Sequence, residues 1–72
     1  MTEQEVKEFW GMIREFENSQ TLKHQYTIEM RYCDGTTDTM TIFVDFIAII
    51  VILNKLKSYG VWAKASLIKR GV

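Results

Sequence analysis

The chain has no proline, one cysteine, one histidine and only four glycines in its 72 residues. Each scarcity removes a class of protein. Without proline, and with glycine scattered at positions 11, 35, 60 and 71, there is neither a stiff linker nor a glycine loop to cradle a phosphate. A lone Cys33 excludes an intrachain disulfide and fits a reducing compartment. Zinc sites of the Cys₄ or Cys₂His₂ kind are out of reach with this inventory. The sequence also lacks the run of roughly 18–20 apolar residues that spans a bilayer. Its most apolar run, Phe46 to Leu53, is eight residues long. The opening MTEQEVKEF has no basic region followed by an apolar stretch, so no signal peptide is expected and the chain reads as cytoplasmic.

What is present suits one small globular domain. Hydrophobic residues make up 47% and charged residues 25%, which separates the chain from disordered sequences. At this length a single core is marginal, and oligomerisation or dense packing often makes up the difference. The formal net charge is zero but unevenly spread. Residues 1–20 hold five Glu against Lys7 and Arg14, a net −3, whereas residues 54–72 hold Lys55, Lys57, Lys64, Lys69 and Arg70 with no acid, a net +5. Two such poles either attract each other within the fold or face outward towards partners.

Hydrophobic periodicity gives the elements in order. Thr2 and Glu5 have capping-box spacing, and Val6, Phe9, Trp10, Ile13 and Phe16 follow the helical repeat. An amphipathic helix is therefore expected over residues 3–17. From Leu22 the period changes to two, predicting a half-buried strand as far as Tyr32 with His24 partly buried. Asp34-Gly35 signals a hairpin, with the return strand at Thr37 to Val44. Asp45 to Gly60 reads as a second helix, capped by Asp45, with Lys55 and Lys57 at its carbonyl end and Gly60 closing it. Alternation resumes from Val61 to about Lys69. The order α-β-β-α-β predicts an α+β, two-layer fold with a three-stranded mixed sheet in the order 2-1-3. Both helices are expected on the face carrying Ile28, Met30, Ile42 and Leu67.

Enzyme chemistry finds little footing. Cys33 and His24 form the one nucleophile–base pair of that kind, and nine residues of strand would hold them roughly 30 Å apart. Asp34 and Asp38 lack the ligand count and spacing of a calcium loop. The segment DGTTD matches half of an aspartyl-phosphatase motif without its preceding nucleophilic Asp. No catalytic residue, metal or other cofactor is expected.

Two surfaces remain. The sheet face away from the helices should carry Lys23, Arg31, Thr39, Thr41, Phe43, Trp62, Lys64, Ile68 and Arg70. Of these, Arg31, Phe43, Trp62, Lys64 and Arg70 are the residues to stack bases and hold phosphates of a single-stranded nucleic acid. A sequence pI near 6.6 counts against that use. The other surface lies on the second helix. Ile49, Ile52, Leu53 and Leu56 should face the sheet, and Phe46 and Ile50 can meet the first helix. Ile47 and Val51 are then left over, to be covered by the first helix or by another chain. With Ile50 they form the expected protein interface, where a twofold dimer would pair the second helix with its own copy, and strand addition at a sheet edge is a further route. The sequence thus reads first as a non-enzymatic protein–protein interaction module, homodimeric and of the inhibitor or adaptor type that bacteria and their phages use. Nucleic-acid binding on the open sheet face is the alternative.

Overall fold

The computed structural model describes residues 2–68; Lys69 and Arg70, and with Arg70 part of the expected nucleic-acid surface, lie outside them. Five elements follow one another: α1 (Glu3–Asn18), β1 (His24–Arg31), β2 (Thr37–Val44), α2 (Phe46–Ser58) and β3 (Trp62–Leu67). The strand order is β2-β1-β3, with both helices packed on one face. One expectation is corrected. The sheet is not mixed, because β1 pairs antiparallel with both neighbours. β2 and β3 do run in the same direction, as the crossover through α2 requires, but β1 stands between them, so no parallel ladder forms.

Local chemistry explains each boundary. The Thr2 hydroxyl accepts from the Glu5 N–H at 3.2 Å while the Glu5 carboxylate accepts from the Thr2 N–H at 2.9 Å, so two orphan donors of α1 are satisfied. The hairpin turns at Gly35, whose φ of +87° is open to glycine at little cost. There Asp34 accepts from both the hydroxyl and the N–H of Thr36. α2 ends as its sequence predicts. Gly60 sits at φ +78°, its N–H donating to the Lys57 carbonyl and the Val61 N–H to the Leu56 carbonyl, each at 3.0 Å.

Asp45 begins α2 and also ties it to the end of α1. Its carboxylate accepts from the Ala48 N–H at 2.7 Å and from the Thr21 hydroxyl at 2.8 Å. Those two bonds, the Ala48 N–H first, hold the Asp45 carboxyl below the usual carboxylate range. A group whose pKa is depressed on folding contributes stability that is present above its unfolded value and lost as pH falls through the folded one. Stability should therefore decline below about pH 4. Asp45→Asn, which keeps an acceptor oxygen for Ala48 but cannot titrate, should flatten that acid limb. Urea midpoints measured at steps between about pH 7 and pH 3 test it.

The core lies between the helices and the sheet. Phe9 and Ile13 from α1, Tyr26, Ile28 and Met30 from β1, Met40, Ile42 and Val44 from β2, and Ala48, Ile49, Ile52 and Leu56 from α2 are buried together with Val61. Of the β3 residues on this face, Ala63 and Ala65 pack against the core, both half-buried, which leaves room for the bulk of α2. Several expectations at the margins change. β1 starts at His24, so Leu22 stays outside the strand and is exposed, and His24 itself is exposed at the sheet's end. Leu67 faces the helix layer as predicted but remains 48% exposed, because it lies where the strand runs out. Val6 and Trp10 are exposed too: α1 buries its Phe9–Ile13 line and leaves the flank bearing those two over the edge of β2.

Candidate functional site

The outer surface of α2 divides into lines of residues separated by three, four and seven positions. Phe46, Ile50, Leu53 and Lys57 form one line. Leu53 and Lys57, with Asn54, border a groove whose other wall is Val61, Trp62 and Ala63, so this line overlooks β3. Ile47, Val51, Asn54 and Ser58 form the next line, the outer ridge. Lys55 lies on the far side, towards α1, where its charge helps lower the pKa of Glu5; the bond from the Thr2 N–H is the larger cause.

The geometry corrects one expectation. Phe46 and Ile50 do not meet α1; they face away from it and are 65% and 46% exposed. α1 does not cover the ridge either. Ile47 is 72% exposed and Val51 39%. Of the expected interface residues, Ile47 and Val51 share the ridge and Ile50 belongs to the β3 flank. Phe46 joins them as a residue that the sequence reading assigned elsewhere. Its signal was available, since Phe46 has the same spacing to Ile50 as Ile47 has to Val51. Four large apolar side chains thus occupy the solvent side of a helix whose first two turns hold no charge.

The open face of the sheet reads as rows across β2, β1 and β3. Thr37, Arg31 and Trp62 make one row, Thr39, Glu29 and Lys64 the next, then Thr41, Thr27 and Ser66. Phe43 and Gln25 begin a fourth, which Ile68 completes through its N–H bond to the Gln25 carbonyl. Arg31, Phe43, Trp62 and Lys64 all lie here as expected, but at opposite ends. Phe43 is three rows from the other aromatic. The Arg31 guanidinium sits 5.2 Å from the centre of the Trp62 ring, so the ring face it covers is not free for a base. Glu29 lies opposite Lys64 and next to Arg31 on β1, so it offsets charge beside both cations. Lys23 borders this face at its Phe43 end, lining a cavity with Gln25, Phe43 and Ile68, while its ammonium is bonded to the Ser19 carbonyl at the end of α1.

Cys33 and His24 stand at opposite ends of β1, as the strand length requires. Cys33 is exposed, with its sulfur 3.9 Å from the Gly60 carbonyl. Among the described residues no cluster of three His, Cys, Asp or Glu side chains is grouped as for a metal, and no helix is long and apolar enough to cross a membrane. No family model matches this chain, and no curated protein or solved structure matches it either.

The two edges of the sheet differ. Backbone groups of even-numbered β1 residues bond to β2, as the Tyr32 N–H to Thr36 carbonyl bond shows, and those of odd-numbered residues bond to β3. The outward groups of β2 therefore belong to Thr37, Thr39, Thr41 and Phe43. Two of these N–H groups are engaged locally: Phe43 donates to the Glu17 carboxylate at 3.4 Å and Thr39 to the Asp38 carboxylate at 2.8 Å. The outward groups of β3 belong to Ala63, Ala65 and Leu67. Among the described residues, none of these has a side chain bonded to it in that way.

Proposed function

We propose that this protein is a non-enzymatic protein-interaction module that works as a homodimer, and that the solvent side of α2 is its contact surface for a partner protein. One observation carries the reading: Phe46, Ile47, Ile50 and Val51 are exposed together on one helix, without a charge among them. Apolar side chains clustered in this way mark interaction surfaces, whereas scattered ones need no explanation. An inhibitor or adaptor acts in this manner, by occupying a surface on its target.

The open sheet face supports the alternative of single-stranded nucleic acid less well, because one face of Trp62 is already taken up by Arg31 and Glu29 sets a negative charge beside both cations. A single experiment divides the readings. Tagged protein is used to capture partners from its native cell, with and without nuclease, beside the variant Ile47→Glu/Val51→Lys. The expected result is a protein partner that survives nuclease and is lost with the variant, whose circular dichroism stays that of the wild type. Partners that vanish on nuclease treatment, or that bind the variant equally, would overturn the assignment.

A further inference from the structure

This inference rests on the homodimeric reading above, and the edges of the sheet offer a seam other than α2 packed on its own copy. We infer that the second copy adds to β3, running antiparallel about Ala65, so that two three-stranded sheets become one of six strands.

Three observations point there. First, among the described residues no side chain engages the outward groups of β3, while β2 engages two of its outward N–H groups with Glu17 and Asp38. Carboxylates on a strand edge are a recognised way of refusing a partner strand. Second, the edge is self-complementary in a register centred on Ala65. Outward-facing groups lie on odd-numbered residues, so a twofold axis at Ala65 pairs Ala65 with itself and Ala63 with Leu67 of the other copy. Small then meets large on the helix side. On the open face Lys64 stands opposite Ser66 and Trp62 opposite Ile68. Moving the axis one residue back, to Lys64, would place two ammonium groups face to face, which is destabilising.

Third, the helix layer is apolar along the same border. An axis perpendicular to the sheet keeps α2 of both copies on one side. α2 follows β2 directly, so its first turn lies at the end of the sheet where β3 finishes, and Phe46 and Ile50 continue the line of Leu53 and Lys57 that overlooks β3. Phe46, Ile50 and Leu67 are 65%, 46% and 48% exposed in the single chain. Pairing at β3 would enclose them between the two helices. Ile47 and Val51 remain outside on the ridge, free for a different protein.

Disulfide trapping tests the register and sedimentation equilibrium tests the association. Lys64→Cys and Ser66→Cys are made separately in a Cys33→Ser background. Facing positions that are not hydrogen-bonded to each other have Cα atoms about 4.5 Å apart, within disulfide range. The two variants mixed and mildly oxidised should give a covalent dimer, and neither alone should. Ala65→Pro removes an N–H that points outward, so it should leave the fold intact and give a monomer. A monomeric wild type at high micromolar concentration would overturn the homodimeric reading and this inference together. A wild-type dimer that gives no cross-link in the mixture would overturn this inference alone, and so would a folded Ala65→Pro that still dimerises.

Discussion

Leu56→Ala should cost about 2–5 kcal/mol in urea unfolding, the range for truncating a buried leucine. The position is fully buried, and two independent features hold it there. Its side chain belongs to the core that α2 forms with the sheet, and its carbonyl accepts the Val61 N–H that closes the helix. The neighbours have little freedom to collapse into the space, because β3 packs only Ala63 and Ala65 against the core and the strands beneath are fixed by pairing on both sides of β1. A domain of this length has a total stability of about 4–11 kcal/mol. The variant should therefore be partly unfolded at moderate urea. A loss below about 1 kcal/mol would mean that α2 is docked by another face.

Phe9→Ala should cost a similar amount, about 3–5 kcal/mol, and decides what α1 is for. A helix this short is marginal on its own, so α1 is either part of the core or an arm that binds elsewhere. Phe9 and Ile13 are buried against the other elements, and the Phe9 ring packs edge-on to Trp10 with centroids 6.1 Å apart. The two tryptophans report on different elements, Trp10 on α1 and Trp62 on β3. Single-tryptophan versions of the protein should lose their native fluorescence at the same urea concentration, and Phe9→Ala should shift both midpoints together. Separate transitions would make α1 a detachable arm.

Most of the fold is legible in the sequence because its signals are local and agree with one another. The capping box at Thr2 and Glu5, the Asp34-Gly35 turn and the Gly60 closure are each a few residues long, and each forms as its chemistry requires. The strand order follows from the length of the first alternating run and the crossover through α2. What the pattern does not show is which flank of a helix meets which neighbour. The wheel of α2 distinguishes buried Ile52 and Leu56 from the rest, but it gives Phe46 and Ile50 no direction, since the placement of α1 depends on where the Phe9–Ile13 line settles on the sheet. The open face has the same limit. Alternation puts Arg31 and Trp62 on one side without revealing that they stack on each other, and it places Lys23 at the Phe43 end of the face without revealing that its ammonium is tied to the Ser19 carbonyl. The difference between the two edges is even less visible, because Glu17 reaches Phe43 across 26 positions of sequence.

The position of β1 has a consequence for how the chain is made. On the ribosome the central strand emerges with one permanent neighbour close behind it, while the other neighbour is the last element of the fold to appear. Until then one flank of β1 stays open along its whole length, beside the buried row Tyr26, Ile28 and Met30. The nascent chain must complete α2 before that slot can be filled. The interval is when this protein is most exposed to unintended strand pairing.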